Sequence, residues 1–189
     1  MATSAPATEA CLGVVLAGGR SRRMGRDKAL LEWQGTPLIE HALRRFHEAG
    51  IVHTVVSGER PAQAGIPDHH PGAGPLAGLH AVARAYPGAR LLLVPVDMPR
   101  LPGIWLAELA SAVPEATALH FENHPLPARI DATPELLQCL AAWLDDPQAP
   151  RSLKRLLQQL GASAIAAPER SSAAFDNANT PEDWARINA

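Results

Sequence analysis

Cysteine occurs only twice in the 189 residues, at Cys11 and Cys139. That is too few for a disulfide framework, the spacing is not that of a metal ligand pair, and a reducing, cytoplasmic compartment is expected. Aromatic residues make up 4% of the chain, which argues against the repeated stacking platform of single-stranded nucleic-acid binders. A net charge of −2 gives no global field for a polyanion, so no nucleic-acid partner is expected. No apolar run approaches the ~20 residues needed to span a bilayer, and no membrane partner is expected. The Ala/Thr/Ser-rich start, Met1 to Ala10, lacks the basic and apolar regions of a signal peptide. It is expected to be a flexible N-terminal tail ahead of a single domain over residues 11–189.

The charge that is present is concentrated. Leu16-Ala17-Gly18-Gly19-Arg20-Ser21-Arg22-Arg23-Met24-Gly25-Arg26-Asp27-Lys28-Ala29 follows an apolar run and sets five cations within nine residues. Glycines let a turning backbone aim its N–H groups at a ligand, while Arg and Lys supply charge for phosphate oxygens. The stretch therefore reads as a polyphosphate grip, although it matches neither G-x-x-x-x-G-K-[ST] nor G-x-G-x-x-G.

Along the chain, Cys11 to Leu16 is a buried parallel strand by pattern. Thr36-Pro37 reads as a helix cap with a first-turn proline, followed by Leu38, Ile39, Ala42, Leu43 and Phe46 at helical spacing up to Gly50. Ile51 to Val56 is a second strand, which completes a right-handed βαβ unit. Ser57 to Gly74 shows little periodicity, with Ile66 marking a short strand end. Pro75 opens a second helix running to Tyr86, and Leu91 to Val96 is the strongest buried-strand run, ending at Asp97-Met98-Pro99. A helix over 102–113, a strand over 116–121 and a returning strand over 126–130 follow. Pro125 and Pro127 place that returning strand at a sheet edge. Helices over 133–144 and 152–160, a last strand over 162–166 and a closing helix from Thr180-Pro181 complete the order. Alternating strands and helices give an α/β fold of three layers, α/β/α, with a mostly parallel sheet and an antiparallel edge element.

In such sheets ligands sit outside the carboxyl ends of the strands, which puts the glycine-rich loop and Asp97 on one rim. A cation cluster facing one carboxylate suits a metal-bound nucleoside triphosphate, with Arg23 and Lys28 on phosphates and Asp97 on Mg²⁺. Asp97 could also cap the turn before Met98-Pro99, but its place after a fully apolar strand favours the functional reading, whereas Asp68 fits a turn-forming role equally well. At least one of Arg20, Arg22 and Arg26 reads as solvated surface charge. Asn177 and Asn179, spaced by one residue, can point the same way from an extended segment. Thr180 and Asp183 read as a helix capping pair, and His69, His70 and His80 as surface or loop histidines rather than metal ligands.

Taken together, the stretch from Leu16 to Ala29, Gly74-Pro75-Leu76-Ala77-Gly78, Asp97-Met98-Pro99 and Phe175-x-Asn177-x-Asn179-Thr180-Pro181-Glu182-Asp183 resemble, in order and spacing, the molybdenum cofactor guanylyltransferase (MobA) family. The resemblance covers Leu12 to Ile187. It implies a Rossmann-like nucleotidyltransferase fold and transfer of GMP from Mg²⁺-GTP to molybdopterin or its molybdenum-loaded form, the molybdenum cofactor. It also implies that Leu16, Ala17, Gly18 and Gly19 hold the guanine nucleotide and that Arg23 and Lys28 meet its phosphates. Asp97 would bind the nucleotide's Mg²⁺. Ser57 falls where the family often has an asparagine near the nucleotide, Asp68 matches a nucleotide-contacting aspartate, and Asn177 and Asn179 match the pterin side. Other proteins of cofactor assembly are transient partners on this view. A cytidylyltransferase or sugar-phosphate nucleotidyltransferase of the same fold is the alternative within enzymes; a non-catalytic nucleotide-binding protein is the alternative outside them. Gly18-Gly19 and the double asparagine favour the guanine enzyme, and the intact set of Arg23, Lys28 and Asp97 favours catalysis.

Overall fold

A computed structural model describes residues 11–18, 27–70, 72–168 and 172–188. The expected tail, Met1 to Ala10, lies outside the described residues. The strands, in chain order, begin with β1 (Cys11–Leu16), followed by β2 (Glu32–Trp33) and β3 (Thr36–Pro37), which form a small hairpin. Next come α1 (Leu38–Glu48), β4 (Thr54–Ser57), α2 (Pro75–Ala85), β5 (Arg90–Pro95), α3 (Gly103–Ser111), β6 (Ala118–Phe121) and β7 (His124–Asp131). The chain closes with α4 (Pro134–Asp145), α5 (Leu153–Gln159), β8 (Ser163–Ile165) and α6 (Pro181–Asn188).

The main sheet has the order β4-β1-β5-β7-β6-β8. Neighbours pair in parallel except β7, which runs antiparallel to both β5 and β6. The period-two alternation of side chains divides the core between the two faces of the sheet. Val15, Leu92, Val94 and Leu119 pack with Leu38, Ile39 and Phe46 of α1, Leu106 and Leu109 of α3, and Ile187 of α6. Val14, Leu16, Leu91, Leu93 and Ile130 pack with Leu76, Leu79 and Val82 of α2, Leu136 and Leu140 of α4, and Leu156 of α5. Each such fully buried side chain is worth roughly 1.5–3 kcal/mol of transfer free energy. Among the described residues, no helix is long and apolar enough to cross a membrane.

Three expectations are corrected. The antiparallel element is interior, not at an edge. Pro125 and Pro127 are tolerated there because β7 pairs with β5 only from Ala128 to Asp131, and the β6 register slips between His120 and Phe121, so neither proline is asked for a ladder N–H. Thr36-Pro37 is not a helix cap and first turn: Thr36 pairs with Trp33, and Pro37 is itself the N-cap of α1, without a side-chain capping bond. Gln34 (φ 51°) and Gly35 (φ 74°) supply the two left-handed residues that a two-residue hairpin turn needs, so the local turn chemistry wins over the cap pattern. The second strand starts at Thr54; Ile51 is buried, yet its N–H bonds Phe46 O at the end of α1.

The interior position of β7 is reinforced by Arg129, whose side chain is fully buried. Its guanidinium donates to the carbonyls of Leu109, Ala110, Ala112, Val113 and Ala116, satisfying the C-terminal end of α3 and the turn after it. A charge on an apolar strand is thus spent on backbone oxygens rather than on a carboxylate.

Candidate active site

Register brings three strand ends together. Leu16 pairs with Ser57 of β4 on one side and with Pro95 of β5 on the other. Ala17-Gly18, Ser57 and Val96-Asp97 therefore leave the sheet side by side, where α/β sheets bind ligands. The cleft above them has a volume of about 380 Å³ and is lined by Leu16, Ala17, Gly18, Lys28, Ser57 and Asp97 among others. From further along the chain, Gly74 and Gly78, Leu126 of β7, and Asn177 and Asn179 reach the same cleft. Gly78 is required by contact: a Cβ there would stand 2.2 Å from Ser57 Oγ, so only glycine lets α2 approach β4 this closely.

Asp27 caps a short helical turn over Lys28–Leu30, its carboxylate accepting from Ala29 N at 3.0 Å. The turn turns Lys28 inward. Its ammonium donates to Asp97 Oδ2 at 2.9 Å and to Asn179 Oδ1 at 2.7 Å. The Lys28 and Asp97 side chains are 16% and 14% exposed, so this pair is less screened than a surface one. Asn179 is held in place by the backbone beside it, because Ala178 N donates to Asp97 O at 3.0 Å and Ala178 is itself fully buried. Asn177 and Asn179 flank that buried alanine and both line the cleft, as expected from their spacing.

Upstream, Phe175 is the anchor of this segment. Its ring stacks on the His124 imidazole with centroids 3.6 Å apart, lies 5.2 Å from Trp105, and meets Phe121 edge-on at 5.7 Å. Burial pushes the His124 imidazole below its ordinary pKa. The aromatic shortage noted in the sequence hides this local concentration. Downstream, Thr180 and Asp183 form the expected reciprocal cap: Asp183 Oδ2 accepts from Thr180 N, and Thr180 Oγ1 from Asp183 N.

Not every residue marked by sequence joins the cleft. Asp68 stands outside its lining, with its carboxylate oxygen beside Gly18. Gly19 and Arg23, together with Arg20, Arg22 and Arg26, lie outside the described residues. His80 is not a surface or loop residue but is buried within α2, 5.8 Å from the His70 ring by centroids. Arg60, by contrast, is a lining residue that no motif marks. It pairs with Asp27 and holds that carboxyl below the usual carboxylate range, against a smaller opposing effect of partial burial.

Among the described residues, no group of three or more His, Cys, Asp or Glu side chains is arranged to hold a metal ion. Among the described lining residues two carboxylates reach the cleft, and with Asp27 engaged by Arg60, the hard carboxylate offered to a divalent ion is that of Asp97. It suits an ion that takes one or two protein carboxylates and completes its shell with phosphate oxygens and water.

A family model described as the MobA-like NTP transferase domain matches residues 13–167. A molybdenum cofactor guanylyltransferase of Xanthomonas euvesicatoria pv. vesicatoria is 43% identical over 176 residues, covering 93% of each chain. One from Rhizobium johnstonii is 34% identical over 188 residues, covering 90% of this chain and 88% of its own. Among solved structures, molybdopterin-guanine dinucleotide biosynthesis protein A from Archaeoglobus fulgidus superposes with a TM-score of 0.75 at 25% identity, covering 94% of this chain and 96% of its own.

Proposed function

The chain belongs to the MobA-like NTP transferase family, and from that premise we propose that it transfers GMP from Mg²⁺-GTP to the terminal phosphate of molybdopterin. The products are the guanine dinucleotide form of the cofactor and pyrophosphate. The observation that carries this reading is the meeting of Lys28 with both Asp97 and Asn179. One ammonium links the strand end suited to a metal-bound triphosphate with the double-asparagine segment assigned to the pterin.

The chemistry needs no general base. A phosphate monoester has its second pKa near about 6, so the acceptor is largely ionised near neutral pH. Its oxygen attacks the α-phosphorus, the bond from that phosphorus to the bridging oxygen breaks, and pyrophosphate leaves with the bonding electrons. The obstacle is repulsion between two anions. Lys28, sitting between Asp97 and Asn179, is placed to neutralise charge where the two phosphates meet. Asp97 would hold Mg²⁺, which when bound supplies Lewis-acid stabilisation of the triphosphate. Arg23 would act on the phosphates alongside Lys28. Leu16 to Gly19, Ser57 and Asp68 would surround the nucleotide, and Asn177 and Asn179 the pterin.

On this reading residues 11–189 act as one nucleotidyltransferase domain in the cytoplasm, in transient contact with other proteins of cofactor assembly. The test is product formation from molybdopterin and Mg²⁺ with GTP or CTP. Guanine dinucleotide with GTP alone is expected. Turnover of CTP alone overturns the base assignment, and product from neither nucleotide, with both bound, would make the chain a non-catalytic binder.

A further inference from the structure

Arg60 lies in the loop after β4, within a stretch whose sequence shows no periodicity. Its guanidinium donates to both carboxylate oxygens of Asp27, to Oδ1 at 2.8 Å, and to the carbonyl of Ala17 at 2.9 Å. Ala17 and Asp27 stand on either side of the glycine- and arginine-rich segment in sequence. A single side chain therefore ties the residue that leaves β1 to the residue that caps the turn of Lys28.

The loop is shaped to present that side chain. Gly58 N bonds Ile66 O at 2.8 Å, and Ile66 forms a parallel bridge with Ser57, which closes the loop at its base. The Arg60 carbonyl accepts from Gln63 N at 3.1 Å and Gly65 N at 2.8 Å. A Cβ on Gly65 would sit 2.7 Å from Arg60 Cβ, so the crossing is as close as the chain allows. The Arg60 side chain is only 16% exposed, while its Asp27 partner is 38% exposed. An ion pair this open to water adds little to global stability. Its geometric effect is larger, because the planar fork fixes the carboxylate in two directions while Nη2 also reaches a third, backbone acceptor.

We propose that Arg60 is a positioning residue for the nucleotide: by clamping Asp27 against Ala17 it fixes the turn that presents Lys28 to the phosphates. The proposal rests on the functional reading above and extends it to a residue that lines the cleft and acts on the phosphates through Asp27 and Lys28. Preorganisation of this kind lowers the ordering cost of binding rather than adding a contact.

The experiment compares Arg60→Met, Arg60→Lys, Asp27→Asn and the Arg60→Met/Asp27→Asn double variant. Three quantities are read: thermal unfolding without ligand, GTP affinity by calorimetry with Mg²⁺, and kcat and KM for GTP in the dinucleotide assay. Unfolding temperatures are expected to stay within ~3 °C of the parent chain. GTP affinity is expected to fall roughly tenfold in each single variant, with the double variant no worse, as for two residues acting through one link. Lysine, which cannot reproduce the fork, does not restore it, and KM moves more than kcat.

If Asp27→Asn binds GTP like the parent while Arg60→Met does not, Arg60 meets the ligand directly and the clamp is overturned. Lowered unfolding temperatures with unchanged affinity and KM also overturn it, leaving a structural role alone. A parent chain that binds GTP but makes no dinucleotide defeats the functional reading, while the calorimetry still judges the clamp. A parent chain that binds neither GTP nor CTP overturns both.

Discussion

Lys28 donates to Asn179 across 2.7 Å, joining residues that are 151 positions apart in the chain. The contact ties the first loop of the fold to its last irregular segment. On the proposed reading, the residue that meets the triphosphate and the residue that meets the acceptor share this hydrogen bond, and its removal should be felt at both ends of the reaction.

Asn179→Ala removes the oxygen that holds Lys28 on the acceptor side. Hydrogen bonds to charged groups contribute about 1.5–3 kcal/mol, so kcat/KM for molybdopterin is expected to fall roughly 10- to 100-fold. GTP affinity, set mainly by the other contacts, is expected to change less. Steady-state kinetics with each substrate varied separately checks this.

Asp97→Ala should abolish Mg²⁺-dependent turnover while leaving the fold intact. The carboxylate lies at the cleft, and its loss frees no buried core volume. A variant with full activity and an unchanged Mg²⁺ requirement removes Asp97 from the metal role; circular dichroism checks the fold.

Arg129→Ala is expected to destabilise the protein by at least about 1–3 kcal/mol, the cost of leaving buried acceptors without their donor. The carbonyls of Leu109, Ala110, Ala112, Val113 and Ala116 would lose their donor. Urea denaturation measures it. Arg129→Lys should recover only part, since a point-like ammonium cannot span that arc of acceptors.

His124 gives a pH dependence with a definite sign. Burial lowers its pKa from the ordinary 6.5, so between the two values the unfolded chain binds a proton that the folded chain refuses. Stability from this group is complete above 6.5 and is lost as pH falls through the folded pKa. His80 acts in the same direction, through burial first and then Arg84 and His70. His124→Phe, which preserves stacking on Phe175, should flatten the fall in denaturation midpoint below pH 6.5. An unchanged slope would assign that fall to other groups.

The residues that sequence made legible share one property: their signal is local. The β1 run, the glycine-rich stretch, the carboxylate after an apolar strand and the alternate asparagines each declare themselves within a few positions. The approach of the residues just after β1 to Asp97 also followed, since parallel sheets place ligands at strand ends. Arg60 and Arg129 were illegible for the opposite reason. Arg60 sits in an aperiodic loop and acts through Asp27, 33 positions away. Arg129 looks like an outward position on a strand, because the carbonyls it serves lie in another helix and the turn after it. The interior place of β7 was hidden as well. Prolines report which N–H groups are missing, not which strand stands alongside, and here the pairing with β5 begins only after Pro127.

The reversal of β7 has a further consequence. Because this strand runs against its neighbours, its beginning, rather than its end, reaches the ligand rim, and Leu126 lines the cleft there. On the proposed reading, the wall that Leu126 gives the cleft comes from the start of a strand, while the nucleotide is met by the segments that follow β1, β4 and β5. The rim thus mixes strand ends with one strand start, so a single face of the cleft rests on the antiparallel element.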